Sequence, residues 1–119
     1  MRRRRRVYLA GRMTGLPYFN FPAFHRAQGI LEAWGYKVWS PARHDLELGF
    51  KPNRAGTIDQ LPPGFRERAM RWDIARVLDA DIVVVLNGWE DSPGAQVEVS
   101  VARAIGTPVI PLTEMGPCG

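Results

Sequence analysis

The stretch from Asp73 to Ile110 constrains the fold of this 119-residue chain more than any other. Within it, Asp81–Leu86 is an apolar, β-branched run typical of a buried parallel strand. The polar loop Asp91–Gly94 follows this strand. After the loop, the pattern of residues predicts a helix that ends at Gly106. Val109–Ile110 predicts another short strand. The stretch is therefore a strand–loop–helix–strand unit, and open α/β sheets bind ligands where such a loop follows the carboxyl end of a strand.

One stripe of the predicted helix combines apolar residues with a carboxylate. At i, i+3 and i+4 spacing it consists of Ala95, Glu98, Val101, Ala102 and Ile105. Glu98 lies near the start of the helix, where free backbone N–H groups and the positive end of the helix dipole stabilise a buried carboxylate. A glutamate at a solvated rim would complement the dipole equally well, so the pattern leaves both interpretations open.

The chain before this stretch predicts a βαβ unit. Val7–Ala10 forms a short strand, the spacing of apolar residues from Pro22 to Trp34 predicts a helix, and Tyr36–Trp39 forms a second strand. A crossover of this kind is right-handed and joins parallel strands. All elements together predict a small, doubly wound α/β domain with strand order near 2-1-3-4.

Two segments connect these units. Ala42–Pro63 contains several glycines and prolines and predicts an irregular loop, such as a lid or a partner-binding segment. Phe65–Leu78 predicts a helix whose apolar side consists of Met70, Ile74, Val77 and Leu78. Asp73 borders that apolar side, where it could face a site or form an ion pair with Arg66 or Arg76 at the solvent edge.

The loop after the first strand carries further candidate ligand contacts. Gly11, Arg12 and Met13 begin this loop, but its glycine spacing matches neither the dinucleotide-binding nor the Walker pattern. Three aromatic residues follow in Pro17–Pro22, and Phe19 is one of them. These rings could form a stacking wall for a ligand, or they could pack on the core.

Composition and charge exclude several classes of protein. With 45% hydrophobic and 24% charged residues, and no apolar run of transmembrane length, the chain is ordinarily globular. Five arginines at Arg2–Arg6 account for the net charge of +4, so residues 1–6 form a basic arm. We predict that residues 7–112 form one domain and that residues 113–119 form a tail. The arm lacks the interleaved aromatics of single-strand binders, so we do not expect nucleic acid as the main partner.

Cysteine and histidine usage points to a site without metal. Cys118 is the only cysteine, which fits a reducing cytoplasm, and no secretory signal precedes Gly11. His25 and His44 are far apart in the sequence, so no metal-ligand spacing is present. We therefore predict a cytoplasmic protein without a metal or other cofactor and without a membrane partner.

Three motifs together resemble the nucleoside 2-deoxyribosyltransferase superfamily. They are Val7–Gly11, Trp72–Ile74 with Ala80–Val84, and Ser92–Glu98. The resemblance covers residues 7–111 and is strongest to a small phage and bacterial branch; the chain is also similar to 2′-deoxynucleoside 5′-monophosphate N-glycosidases. It implies a flavodoxin-like fold, a homodimer or larger homo-oligomer, and cleavage of the N-glycosidic bond of a 2′-deoxynucleoside or its monophosphate through a covalent glycosyl-enzyme.

The resemblance also implies roles for individual residues. The family's nucleophilic glutamate falls on Glu98, and the aspartate that contacts the substrate and assists proton transfer falls on Asp73. The tyrosine that orients the nucleophile falls on Tyr8. The serine that binds the 5′-phosphate in the monophosphate hydrolases falls on Ser92.

Two departures bear on the substrate. The transferase branch has an acidic residue where this chain has Ser92, and here Asp91 lies one position earlier. Arg12 replaces a proline or serine and could add a phosphate ligand. With Gly94, these residues complete the predicted substrate contacts. A non-catalytic nucleotide-binding or sensing module, and a nucleic-acid-binding accessory acting through Arg2–Arg6, stay open as alternatives.

Overall fold

A four-stranded parallel sheet forms the centre of the computed structural model, which describes residues 4–57 and 61–119. Its strands are β1 (Arg6–Ala10), β2 (Lys37–Trp39), β3 (Ile82–Val85) and β4 (Val109–Pro111), in the order β2-β1-β3-β4. Every pair of neighbouring strands is parallel. The predicted strand order and the doubly wound α/β class of a single domain are therefore confirmed.

Helices cover both faces of the sheet. They are α1 (Phe21–Ala33), α2 (Pro41–Glu47), α3 (Phe65–Asp79) and α4 (Pro93–Ala104). Side chains alternate along β1, so Val7 and Leu9 join the hydrophobic cluster of α1, whereas Tyr8 and Ala10 join the cluster of α3 and α4. This alternation places Tyr8 on the same side of the sheet as Glu98.

Helix α2 shows that the prediction of an irregular Ala42–Pro63 segment was wrong in its first part. Ser40 caps the helix, because its side chain accepts a hydrogen bond from the Arg43 N–H at 3.4 Å, and Pro41 occupies the first turn. Ala42 is fully buried, which ties the helix to the core. The glycines and prolines that favour an irregular loop all lie beyond the end of this helix. Residues 58–60 of the segment lie outside the described part of the chain.

The predicted apolar stripes of α3 and α4 were only partly right. Val77 is fully buried, but Leu78 is 52% exposed because neighbouring residues of a helix point in directions about 100° apart. In α4, Ala95 and Ala102 are buried as predicted, and Glu98, for which the sequence left two interpretations open, is buried too. Ile105 is exposed because it lies beyond the last residue of the helix.

Both ends of the chain differ from the predicted boundaries. Arg6 already belongs to β1, and its backbone N–H donates a 2.7 Å hydrogen bond to Asp81 Oδ2. The segment 113–119 packs on the domain: the Tyr36 hydroxyl donates to the Gly116 carbonyl and the Cys118 N–H to the Trp34 carbonyl, each at 2.9 Å. Arg4 and Arg5 are the described part of the arm, and the positions before them lie outside the described residues.

Loop 51–57 fixes the connection between β1 and α1. The Gly15 N–H donates to the Gly56 carbonyl at 2.9 Å, and the Tyr18 N–H donates to the Asn53 carbonyl at 3.1 Å. Gly56 has φ +68, and an added Cβ would lie 2.0 Å from the Leu16 carbonyl oxygen, so this contact requires glycine. Residues 18–20 adopt left-handed backbone angles, φ 52 to 60, and turn Phe19 inward. Within the described residues, no helix has the length and apolarity needed to cross a membrane.

Candidate active site

A cavity of about 370 Å³ opens where the strands β1, β2 and β3 end. This is the edge at which doubly wound sheets bind ligands, and the volume suits a small molecule. The cavity is lined by nine of the residues predicted from the sequence, namely Gly11, Arg12, Met13, Phe19, Asp73, Asp91, Ser92, Gly94 and Glu98. The tenth, Tyr8, is fully buried and contacts Glu98. The structure therefore brings all ten predicted residues to one place.

Tyr8 and Glu98 form a buried hydrogen bond at the cavity. The Tyr8 hydroxyl donates to Glu98 Oε2 at 2.9 Å, and only 6% of Glu98 is exposed. Burial raises the pKa of Tyr8 well above its usual value, and the nearby Glu98 carboxyl adds to the rise, so the phenol keeps its proton and stays a donor. Of the two interpretations of Glu98, the structure shows the buried one.

Asp73 completes a three-residue group with Tyr8 and Glu98. Burial raises the pKa of Asp73 to about 7, while hydrogen bonding to Glu98 and Tyr8 opposes the rise. Oδ1 of Asp73 is buried without a hydrogen-bond partner, so a ligand can supply the missing donor. The alternative of an ion pair with Arg76 is not observed, because Arg76 Nη2 pairs with Asp79 Oδ2 at 3.1 Å.

The two carboxyl groups of this site both have raised pKa values. Burial and then the charge of Asp73 raise the pKa of Glu98 well above its usual value, and the Tyr8 hydrogen bond opposes the rise. The interaction between the two carboxyl groups raises the pKa of Glu98 and lowers that of Asp73. Two neighbouring carboxyl groups with perturbed pKa values can act as nucleophile and acid.

Asp45 is a further carboxylate of the cavity, beside Asp73, Asp91 and Glu98, and it was not among the residues predicted from the sequence. It lies on α2 and is only 7% exposed. Burial, and secondarily the charge of Asp73, raise the pKa of Asp45 to about 7, and Oδ1 has no hydrogen-bond partner. One signal in the sequence could have located helix α2, which carries Asp45. Ser40-Pro41 is a typical helix start, and it directly follows a strand that ends at the ligand-binding edge.

Aromatic side chains form an apolar wall of the same cavity. Phe50 contacts Phe19 and Phe65, with ring centroids 5.2 Å apart in each pair. Phe19 is 3% exposed and belongs to the hydrophobic core, so it borders the cavity as a core residue. Phe50 and Phe65 were not among the predicted site residues. A planar, apolar ring fits against such a wall.

Groups suited to an anion line the cavity as well. Ser92 caps α4, because its Oγ accepts a 3.2 Å hydrogen bond from the Ala95 N–H, and its own hydroxyl hydrogen can still be donated to a ligand. Arg12 and Arg66 also line the cavity. The start of α4 adds the positive end of a helix dipole. In the described part of the chain, no group of three histidine, cysteine or acidic residues could hold a metal ion.

The raised pKa of Asp45 predicts that the fold loses stability as the pH rises. The folded state keeps a proton that the unfolded chain has already released, so the free energy of unfolding falls between about pH 4 and pH 7. A pKa that rises from 3.8 to about 7 corresponds to at most ~4 kcal/mol. In thermal unfolding we expect Asp45→Asn to match the wild type at pH 4 and to exceed its unfolding temperature at pH 8.

The matched control for this measurement is Glu47→Gln on the same helix. Glu47 is exposed and forms a solvent-exposed ion pair with Arg43, at 3.4 Å, so its neutralisation should change the unfolding temperature little at either pH. Equal unfolding temperatures of Asp45→Asn and the wild type at pH 8 would contradict the raised pKa.

Comparison with solved structures supports the predicted resemblance. The chain is similar to the 2-deoxyribosyltransferase of the psychrotolerant bacterium Bacillus psychrosaccharolyticus, with a TM-score of 0.63 and 22% identity, covering 89% of this chain and 70% of that chain. At this identity the similarity establishes the fold. The chain is thus a flavodoxin-like α/β protein with the architecture of the 2-deoxyribosyltransferases.

The family follows from the sequence match. Residues 5–111 match the family described as a domain of unknown function, DUF4406, and the chain belongs to this family. No curated protein has a significantly similar sequence.

Proposed function

We propose that this protein hydrolyses the N-glycosidic bond of a 2′-deoxynucleoside 5′-monophosphate. The observation that carries the proposal is the buried group of Tyr8, Asp73 and Glu98 at a cavity of about 370 Å³. Both carboxyl groups have raised pKa values, and glycosidases use one carboxyl group as nucleophile and a second as acid. The structural relative is a 2-deoxyribosyltransferase, which supports chemistry at a deoxyribosyl group.

In the first step Glu98 attacks the anomeric carbon of the sugar. Its proton moves across the hydrogen bond to Asp73, a C1′–O bond forms to Glu98, and the C1′–N bond breaks. The electron pair of that bond goes to the base nitrogen, which takes the proton from Asp73. The Tyr8 hydroxyl holds the Glu98 carboxylate at its Oε2 and stabilises its charge before attack.

In the second step water releases the sugar. Asp73, now ionised, accepts a proton from water, and the water oxygen attacks C1′ as the bond to Glu98 breaks. The carboxyl pair thereby regains, on Asp73, the one proton that it gave to the base. The products are the free base and 2-deoxyribose 5-phosphate, and the resting state is restored.

Hydrolysis of a monophosphate is favoured over transfer between bases by the groups that could hold a phosphate. Ser92 offers a hydroxyl hydrogen at the start of α4, and Arg12 offers a guanidinium. Ser92 also stands where the transferases carry an acidic residue. A neutral nucleoside would leave this part of the cavity without a charged partner.

The test is to incubate the protein with deoxynucleoside monophosphates, with and without a second free base, and to separate the products by chromatography. We expect free base and sugar phosphate to accumulate together at equal rates. Faster accumulation of a new nucleotide would show that the protein is a transferase. Nucleotide binding in a thermal-shift assay without base release would contradict catalysis and favour a binding module.

A further inference from the structure

We propose that Asp45 recognises the base and selects guanine over hypoxanthine, thymine and uracil. Its carboxylate would accept hydrogen bonds from the ring N–H and the neighbouring amino group of guanine. This inference rests on the proposed function for the identity of the ligand, and it extends that function to the choice of substrate.

The position of Asp45 indicates a contact with ligand. Asp45 is only 7% exposed, yet it lines the cavity, and Oδ1 has no hydrogen-bond partner. A buried acceptor without a partner is costly, so a donor brought by the ligand is strongly favoured. Asp45 has no part in the reaction of Tyr8, Asp73 and Glu98, and it is therefore available to hold the part of the substrate that leaves.

Asp45 is adjacent to the wall against which a base would stack. The Phe50 N–H donates a 3.0 Å hydrogen bond to the Asp45 carbonyl, and both residues line the cavity. Phe50 in turn packs against Phe19 and Phe65. A planar base lying along these rings presents its edge, and not its face, to the carboxylate.

The hydrogen-bonding edges of the bases differ in how they suit a carboxylate. Guanine presents two adjacent N–H donors, which match the two oxygens of Asp45. Hypoxanthine lacks the amino group, and thymine and uracil place carbonyl oxygens on both sides of a single N–H. Those carbonyls would face the carboxylate oxygens and repel them. Discrimination therefore follows from the amino group of guanine.

Contacts of α2 hold Asp45 in place before ligand binds. His44 stacks on Trp72 with ring centroids 3.9 Å apart and an angle of 4° between the rings. Trp72 directly precedes Asp73 on α3, so this stack joins the helix of the base-recognising residue to the helix of the acid. Ser40 fixes the other end of α2. A preorganised carboxylate gives sharper selection than a mobile one.

The experiment is run at pH 8, where Asp45, with its pKa of about 7, is ionised. It compares dGMP with dIMP, which lacks only the amino group, and with dTMP. For the wild type we expect kcat/KM to be at least about tenfold higher for dGMP than for either competitor. Asp45→Asn offers one donor and one acceptor, which suit hypoxanthine and thymine. The ratio of kcat/KM for dGMP to kcat/KM for dTMP should therefore fall at least about tenfold in this variant. Glu47→Gln, on the same helix but outside this cavity, should keep the wild-type ratios.

Three results would overturn the inference. They are equal kcat/KM for dGMP and dIMP in the wild type, unchanged ratios in Asp45→Asn, and equal losses on all three nucleotides in that variant. The same selection can be tested without turnover. Calorimetry on Glu98→Gln gives the affinities for dGMP and dIMP, and their ratio measures the selection. If the wild type releases no base from any nucleotide, the proposed function fails, whereas this affinity ratio still decides the role of Asp45.

Discussion

Replacing Glu98 with glutamine is expected to slow base release by at least about 10⁴-fold, the scale of loss when a covalent nucleophile is removed. Glutamine keeps the shape of the side chain and can still accept the 2.9 Å hydrogen bond from the Tyr8 hydroxyl. It cannot form the bond to C1′ as a carboxylate does. The measurement is the initial rate of base release from dGMP, followed by chromatography.

The fold should tolerate this substitution, which makes the result interpretable. Glu98 is buried and its pKa is raised by that burial, so a neutral amide suits this position better than an ionised carboxylate does. We expect circular dichroism and the unfolding temperature at pH 7 to match or exceed the wild type. A folded Glu98→Gln protein that retains more than a tenth of the wild-type rate would remove Glu98 from the mechanism.

Replacing Asp73 with asparagine is expected to slow base release by about 10²- to 10³-fold, the usual contribution of a positioned acid. The proton given to the base passes through Asp73, whose pKa is raised to about 7. Wild-type kcat should therefore fall as the pH rises above the pKa at which the carboxyl pair loses its last proton. Asparagine has no proton to give in this range, so this alkaline fall should disappear from the pH–rate profile of the variant.

A substrate whose base leaves without protonation distinguishes lost acid catalysis from a disturbed site. The nucleotide of 7-methylguanine already carries a positive charge on the base, so its glycosidic bond breaks without an acid. We expect Asp73→Asn to lose less than about tenfold on this substrate and much more on dGMP. Equal losses on both substrates would show that Asp73 positions the substrate and does not act as the acid.

The sequence was sufficient to predict the sheet, and the resemblance was sufficient to name three residues that lie together at the cavity. A continuous apolar, β-branched run such as Asp81–Leu86 strongly favours a buried central strand. Because the crossovers between parallel strands are right-handed, only a few strand orders are then possible. The resemblance supplied Tyr8, Asp73 and Glu98, and alternation along β1 explains why the tyrosine meets the glutamate. Periodicity gave the type of each helix but not which of its neighbouring apolar residues was buried, as Leu78 and Ile105 show.

The Ser40-Pro41 helix start could have located helix α2, but the importance of Asp45 itself arises from tertiary contacts. In the sequence it is one acidic residue among several charged neighbours in a short helix of seven residues, Pro41–Glu47. Its burial depends on helix α2 lying beside α3, which the stack of His44 on Trp72 stabilises. Contacts between side chains distant in sequence leave no periodic pattern, so such residues emerge only when the elements are assembled.

The location of Tyr8 on β1 has a consequence for how the protein moves. This strand lies between β2 and β3, and its residues 7–10 are completely buried, so its amide hydrogens should exchange with solvent only when the whole molecule unfolds. The Tyr8 hydroxyl that donates to Glu98 is therefore held by a strand that we expect to open only on global unfolding. In the proposed mechanism, the surrounding loops could move to admit a substrate while the hydrogen bond between Tyr8 and Glu98 keeps its geometry.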